Sequence, residues 1–262
     1  SVERTIVNER TEYDPVSLLP VRFYGPGTPD VPGLLLQTLT YDTGGVVSTV
    51  KDGNNNVITL SSWYRGVPRN ILYADDTSES ADVTPEGWIT SITNEVGYTS
   101  TYDYDAMGRL ARITHPTGDS TVWNDTTQVF EQVNAVEYGI PAGHWRQTIA
   151  TGNGRKVTYY DAMWRPVVVH EYDLADVQGT ERFQRYAYDD SGRAIFASYP
   201  ASIPTPTTGT WTEYDDLGRV TSVSSDSEFA EPIVTLTNYL PGFQTRVTNG
   251  RLKTTTTTYM AW

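Results

Sequence analysis

Two pairs of carboxylates stand at a spacing that could support glycoside hydrolysis. Asp103 and Asp105 are two residues apart, as are Glu213 and Asp215, and both pairs lie in segments rich in strand-forming residues. Residues two apart on a strand share a face, with Cα atoms about 7 Å apart, and glycosidases work with two facing carboxyl groups. Both pairs belong to a recurring stretch, whereas an active site needs a single, uniquely supported constellation. The pairs therefore favour a repeated structural element.

Other residue types give little support for metal or nucleophilic chemistry. The chain has no cysteine, which excludes disulfides, thiolate catalysis and cysteine-based zinc or iron–sulfur sites. His115, His144 and His170 share no ligand spacing, and the chain lacks both His-Glu-x-x-His and Gly-x-Ser-x-Gly. The stretch "DGNNN" at 52–56 is a weak match to a calcium loop and lacks the downstream glutamate. We therefore expect no metal, no cofactor and no enzymatic activity.

Charge and composition limit the partners and the fold class. The net charge is −13 over 262 residues, so nucleic acid and anionic membranes should be repelled. The sequence has no run of 18 apolar residues, and we expect no membrane span. With 18 tyrosines, 7 tryptophans and many threonines and valines, the composition favours β-strands.

A period of 21 residues organises much of the chain. Glycines mark it at Gly45, Gly66, Gly87 and Gly108. The fifth residue after each glycine is apolar, and the tenth is Gly, Asn or Asp, types that tolerate a positive φ. Two strands and two tight turns account for the period, and only antiparallel strands can be joined so closely. The sequence predicts an all-β fold of consecutive antiparallel β-hairpins that form a long curved or spiralling sheet.

A second signal is the motif Tyr-Asp-x-x-Gly-Arg. Its copies are "YDAMGRL" (104–110), "YDAMWRP" (160–166), "YDDSGRA" (188–194) and "YDDLGRV" (214–220). Aspartate and arginine are four apart and should meet across a turn, with the aspartate also accepting turn N–H groups. Trp164 replaces the glycine once, which predicts an ordinary backbone conformation or another turn type there. The tyrosines are predicted to stack in a ladder from hairpin to hairpin. The predicted structural residues are Tyr104, Asp105, Gly108, Arg109, Tyr160, Asp161, Arg165, Tyr188, Asp189, Gly192, Arg193, Tyr214, Asp215, Gly218, Arg219, Gly45, Gly66 and Gly87.

The repeat extends over residues 41–262, with inserts near 119–142, 173–183 and 224–232 that are tolerated at hairpin tips. Residues 1–40 are predicted to be an N-terminal cap or a degenerate repeat. The last residues, "TTTTTYMAW" (254–262), look like an interrupted repeat, so we expect a fragment of a longer chain. Its open sheet edges favour self-association.

The segments "GWITSITNEVGYTSTYDYD" (87–105) and "YDAMGRLARITHPTGDST" (104–121) resemble the RHS or YD-repeat proteins. The resemblance covers roughly 41–262 and departs at Trp164, at "YDTGGVV" (41–47) and at "YMAW" (259–262). It implies a strip of β-hairpins that spirals into the hollow shell of bacterial polymorphic toxins, insecticidal toxin complexes and related cell-surface proteins. It also implies, as partners, the rest of a parent RHS protein and an encapsulated C-terminal toxin domain, and a secreted or bacterial cell-surface location. We find no segment that matches the family's self-cleaving aspartyl site.

Three functions follow as hypotheses. The favoured one is a non-catalytic structural segment of a shell that encloses or presents a toxin or effector domain. The second is a surface module that binds a carbohydrate or a cell-surface receptor through exposed tyrosines and tryptophans. The third is a polysaccharide-degrading enzyme built on a repeat scaffold.

Overall fold

The computed structural model of the protein describes residues 7–118, 121–229 and 231–259. The final residues 260–262, which carry most of "YMAW", lie outside the described residues. The chain separates into two compact units, residues 1–125 and 126–262, and each is described by itself. No helix in the described parts of the chain is long and apolar enough to cross a membrane.

The first unit is a meander of ten strands. They are β1 (Arg10–Tyr13), β2 (Pro20–Tyr24), β3 (Leu35–Tyr41), β4 (Val47–Asp52), β5 (Val57–Ser61), β6 (Asn70–Leu72), β7 (Ser78–Val83), β8 (Ile89–Thr93), β9 (Thr99–Tyr104) and β10 (Leu110–Thr114). Each strand pairs antiparallel with the next. Side chains alternate between the faces, so that Ala81 lies opposite Ile92 on one face and Asp82 opposite Ser91 on the other.

The second unit continues the same plan with eleven strands and one short helix. They are β11 (Thr126–Val133), β12 (His144–Thr151), β13 (Gly154–Tyr160), β14 (Pro166–Asp173), α1 (Val177–Thr180), β15 (Arg182–Tyr188), β16 (Ala194–Ser198), β17 (Gly209–Tyr214), β18 (Val220–Ser225), β19 (Ile233–Leu240), β20 (Gln244–Thr248) and β21 (Thr254–Thr258). Consecutive strands again pair antiparallel. The predicted all-β class and the succession of antiparallel hairpins are confirmed.

The buried core of the second unit lies over β13, β14 and β15. It consists of Ile140, Val157, Tyr159, Val168 and Phe183. Ile140 belongs to the predicted insert near 119–142, which joins β11 to β12. Within that insert a two-residue turn folds back and brings Tyr138 to 5.0 Å from the Tyr159 ring and 5.6 Å from the Phe183 ring, between centroids. The insert therefore does more than lengthen a hairpin tip, because it supplies part of the core.

Candidate functional site

Ten turns in the described parts of the chain share one backbone pattern. The N–H of the first residue donates to the carbonyl of the fifth, and the N–H of the fourth donates to the carbonyl of the first, as at Asp105, Gly108 and Arg109. The fourth residue has a positive φ, which is 77° at Gly108. This is the three-residue hairpin loop in which a type I turn is followed by a left-handed residue. The turns begin at Asp42, Asp52, Tyr73, Thr84, Asn94, Asp105, Asp161, Asp189, Asp215 and Asn249.

The first residue of these turns is Asp or Asn in eight of the ten. In Asp105, Oδ1 accepts hydrogen bonds from the N–H groups of Met107 at 2.9 Å and Arg109 at 3.0 Å. Asn94 makes the same contacts although no arginine follows it. The Tyr-Asp motif marks this aspartate in only four of the turns. An Asp or Asn three residues before the positive-φ residue in eight of the ten turns was the available signal.

In all four motif copies the arginine closes the turn onto the aspartate. Nε donates to Oδ2 of the aspartate at 2.7 Å in Arg109, 2.8 Å in Arg165, 2.6 Å in Arg193 and 2.7 Å in Arg219. The backbone N–H of Arg109, together with its guanidinium, lowers the pKa of Asp105 below its ordinary value. These carboxylates are therefore ionised and saturated with donors at neutral pH.

The tyrosine of a motif copy contacts the copy before it. The guanidinium carbon of Arg165 lies 4.5 Å from the ring centroid of Tyr188, whose hydroxyl donates to the carbonyl of Pro166 at 2.9 Å. The same geometry joins Tyr214 to Arg193 at 4.7 Å and Tyr239 to Arg219 at 4.0 Å. The predicted ladder of directly stacked tyrosines is wrong here, because an arginine of the preceding turn covers each of these rings. Aspartate, arginine and the next tyrosine form a chain of contacts from hairpin to hairpin.

Aromatic residues take the place of the arginine at the two other tyrosines. Tyr104 packs on Trp88 with ring centroids 5.2 Å apart and donates to the carbonyl of Ile89 at 2.7 Å. Trp88 occupies the fifth turn position, where the motif copies have arginine. Tyr160 packs on Phe130 of β11, with ring centroids 6.2 Å apart. The contact between the tyrosine and the earlier hairpin can therefore be made by either a cation or an aromatic ring.

Trp164 adopts the left-handed conformation, with a φ of 61°, in the same turn pattern as the glycines. The prediction of an ordinary backbone or another turn type at this position was wrong. Its ring stacks on Trp145 with centroids 5.2 Å apart and an interplanar angle of 25°. This contact offsets the cost of the conformation, which is about 1–2 kcal/mol for a residue with a Cβ.

The glycines that mark the period do not all serve the same turn. Gly45 and Gly87 have φ values of 78° and 96° in the shared pattern. Gly66 lies in a two-residue turn in which Arg65 also has a positive φ, of 51°, and Tyr64 and Val67 exchange both backbone hydrogen bonds. This is the type I′ hairpin turn, which fits the same period.

Substituting Gly108 with alanine should destabilise the first unit more than the same change at Gly97. A Cβ at Gly108 would lie 2.5 Å from Cζ2 of Trp88, whereas one at Gly97 would meet nothing within 4 Å. Both substitutions carry the left-handed penalty of about 1–2 kcal/mol, and overpacking against a ring adds about 1–3 kcal/mol. Denaturant unfolding followed by circular dichroism measures the difference. Equal losses for the two variants would show that close approach to Trp88 is unimportant.

In each unit, one carboxylate of the pair considered for catalysis is engaged by an arginine. Asp105 and Asp215 are engaged by their arginines, and Asp103 lies opposite Arg112 across β9 and β10. The 52–56 stretch forms a hairpin turn in which Asp52 accepts N–H groups. Within the described ranges, His, Asp and Glu side chains do not form a group of three that could hold a metal ion.

Two of the histidines belong to the core of the second unit instead. His144 is buried, and its Nε2 lies 3.3 Å from Oε2 of Glu137. His170 stacks on Phe183 with ring centroids 4.0 Å apart and an interplanar angle of 11°. The Nε2 of His170 is buried without a hydrogen bond and lies 3.5 Å from Oε2 of Glu181.

Acid should destabilise the second unit through His170. Burial lowers the pKa of His170, and the nearby Glu181 carboxylate opposes this only in part. The other titratable neighbours are Tyr138, whose hydroxyl lies 3.5 Å from Nδ1, and Tyr172 on its own strand. Because the unfolded chain then binds the proton more readily, stability is constant above the unfolded pKa of about 6.5 and falls as the pH drops below it.

The measurement for His170 is the unfolding midpoint in urea between about pH 7.5 and pH 5.5, a window around the ordinary histidine pKa. His170→Phe, which keeps a stacked ring, should flatten this dependence. Identical pH profiles for the variant and the parent chain would contradict the assignment.

One known protein family matches the part of the chain that holds the first complete motif copy. Residues 84–120 match the family model of the RHS repeat. This segment therefore contains an RHS repeat. The matched segment runs from the turn that begins at Thr84 through β8, β9 and the first complete motif copy to β10.

Solved structures with a similar course of the chain come from toxin complexes. The crystal structure of TcdB2-TccC3-Cdc42 has a TM-score of 0.48 and 14% identity, over 96% of the present chain and 13% of the toxin chain. The Photorhabdus luminescens Tc holotoxin pore with a TccC3 mutation has a TM-score of 0.45 and 12% identity, over 92% and 13%. The crystal structure of TcdB2-TccC3 has a TM-score of 0.44 and 13% identity, over 94% and 14%. The present chain thus spans about an eighth of the length of these toxin chains.

Proposed function

We propose that this chain is a non-catalytic structural segment of an RHS-repeat protein and forms part of a β-sheet shell that encloses or presents a toxin or effector domain. The observation that carries the proposal is the hairpin-to-hairpin contact of Asp161, Arg165 and Tyr188 and its counterparts in the following copies. The most repeated polar residues of the chain are thereby used to join neighbouring hairpins. A sheet extended by one such joint per repeat suits the wall of a container.

The same contacts argue against the motif as a catalytic or ligand-binding element. The ring of Tyr214 lies under Arg193 and its hydroxyl donates to the carbonyl of Ala194 at 2.9 Å, so neither is free to hold a ligand. Asp215 has its two oxygens occupied by the backbone and side chain of Arg219. A carboxylate held in this way is a poor general acid, because its donors favour the ionised form.

Partners and location follow as part of the proposal. The parent RHS protein supplies the neighbouring repeats, and a C-terminal toxin domain is the enclosed cargo. A protein of this kind is secreted or displayed on a bacterial cell surface. The strand edges of the two units pair with neighbouring repeats in the parent, and in the isolated chain they favour self-association.

Protease protection in the parent protein tests the proposal. A shell predicts that a domain downstream of the repeats survives digestion in the intact protein and is cleaved once the wall is loosened by Arg165→Met, Arg193→Met and Arg219→Met together. These changes keep most of the aliphatic side chain and remove the cation over each tyrosine. Equal digestion of that domain in both proteins would overturn the enclosure.

A further inference from the structure

The turn between β20 and β21 combines an asparagine with a following glycine, which none of the other nine shared turns in the described parts of the chain does. The N–H of Asn249 donates to the carbonyl of Lys253 at 3.0 Å, and the N–H of Leu252 donates to the carbonyl of Asn249 at 2.8 Å. Gly250 comes second in this turn, whereas a glutamate follows Asn94, the other asparagine that begins such a turn. Both Asn249 and Gly250 are exposed to water.

The backbone nitrogen of Gly250 is available as a nucleophile. The shared turn does not use the N–H of its second residue, and within the described residues the Gly250 N–H donates no hydrogen bond. Glycine has no Cβ to shield this nitrogen. Packing accounts for the glycine, because a Cβ here would lie 2.5 Å from Cγ2 of Ile233. Attack of the Gly250 nitrogen on Cγ of Asn249 closes a five-membered ring, so the two groups can react without help from another molecule.

The turn also activates the side-chain amide of Asn249. Its Oδ1 accepts hydrogen bonds from the backbone N–H groups of Arg251 and Lys253, each at 3.0 Å. Negative charge develops on Oδ1 when a nucleophile adds to Cγ, and two fixed backbone donors stabilise that charge as an oxyanion hole does. Asn94 has two equivalent donors at 3.2 Å and 2.9 Å, but the nitrogen beside it belongs to a residue with a long side chain. The free nitrogen and the activated amide therefore occur together at Asn249.

We propose that Asn249 is a site of spontaneous deamidation and that its aspartate product closes the turn onto Lys253. The Gly250 nitrogen loses its proton to water and bonds to Cγ, the bond from Cγ to Nδ2 breaks, and Nδ2 takes up a proton and leaves as ammonia. A water molecule then opens the succinimide. Cleavage of the new bond gives aspartate, and cleavage of the original peptide bond gives isoaspartate, which has an extra methylene in the backbone. Water is the only co-reactant.

The aspartate product matches the turns that the chain uses elsewhere. Six of the ten shared turns begin with aspartate, and in four of these the fifth residue is the arginine that pairs with it. Lys253 is the fifth residue of the turn that begins at Asn249. A carboxylate at this position keeps both N–H contacts and adds an ion pair with the lysine, which the neutral amide cannot form. The site is independent of the proposed shell, and its failure would leave that proposal standing.

Peptide mass spectrometry of the folded chain, incubated in mildly alkaline buffer, tests the modification. We expect the peptide with Asn249 to gain about one dalton at least about tenfold faster than the peptide with Asn94, which corresponds to about 1.4 kcal/mol in activation free energy. Asn153 is a second comparison, because Gly154 follows it but belongs to β13, where it lies opposite Thr151. Asn153 should also react more slowly than Asn249. An unchanged Asn249, or equal rates at all three asparagines, would overturn the site.

Two variants test the role of the product. Asn249→Asp should slow hydrogen exchange of the amides in β20 and β21, because the new carboxylate pairs with Lys253 across the turn. Adding Lys253→Met, which keeps most of the aliphatic side chain and removes the charge, should cancel most of this protection. Exchange that is unchanged in Asn249→Asp, or protection that survives Lys253→Met in full, would overturn the ion pair.

Discussion

Replacing Phe183 with alanine is expected to lower the free energy of unfolding of the second unit by about 3–5 kcal/mol. Phe183 is 2% exposed, stacks on His170 at 4.0 Å and contacts the ring of Tyr138 at 5.6 Å, between centroids. Truncation leaves a cavity between β15 and the folded-back segment that carries Tyr138. Urea unfolding followed by circular dichroism measures the loss.

Phe229→Ala is the matched control for this prediction. Phe229 belongs to the same unit and is 83% exposed, so its removal should change the stability by no more than about 0.5 kcal/mol. If the two alanine variants lost stability equally, the core over β13, β14 and β15 would not be what stabilises the second unit.

Replacing Tyr188 with alanine is expected to cost about 2–3 kcal/mol, because it removes the ring under Arg165 and the hydroxyl bond to Pro166. Tyr188→Phe keeps the ring and should cost only about 1 kcal/mol, the worth of one hydrogen bond. Tyr13→Ala, at a 59% exposed tyrosine of the first unit, serves as the control for loss of a surface ring. A Tyr188→Ala variant as stable as Tyr13→Ala would show that the tyrosine does not join the hairpins.

The sequence predicted the hairpin plan because the turns depend on local chemistry. A left-handed residue every ten or eleven positions favours Gly, Asn or Asp, and that preference is visible in the residue types alone. The aspartate–arginine contact was also predictable, since both residues flank one turn. The pattern does not determine the turn type, however. Gly66 keeps the 21-residue period but lies in a type I′ turn.

Contacts between repeats could not be predicted in the same way. Arg165 and Tyr188 are 23 residues apart, and their meeting depends on the register of β14 and β15 and on the length of the insert between them. The left-handed conformation of Trp164 could not be predicted for a related reason. The ring that stabilises its turn, Trp145, lies on a neighbouring strand. The same holds for Tyr138 and Ile140, whose place in the core follows from a segment that looked like a surface insert.

The carboxylates considered for catalysis also differ between what local sequence suggests and what the structure shows. Local sequence made Asp105 and Asp215 look like half of a catalytic pair, whereas the structure places an arginine on each of them. Glu213 carries no such partner among the described contacts, and only the register of β17 and β18 shows that Ser222 lies opposite it.

A double-mutant cycle between Arg165 and Tyr188 tests most directly whether the motif joins one hairpin to the next. Arg165→Met and Tyr188→Leu are compared with the double variant by urea unfolding, which cancels the loss of the Asp161 ion pair common to both arginine variants. We expect a coupling free energy of about 0.5–2 kcal/mol, the range for a cation over an aromatic ring. Additive losses, within about 0.3 kcal/mol, would contradict it.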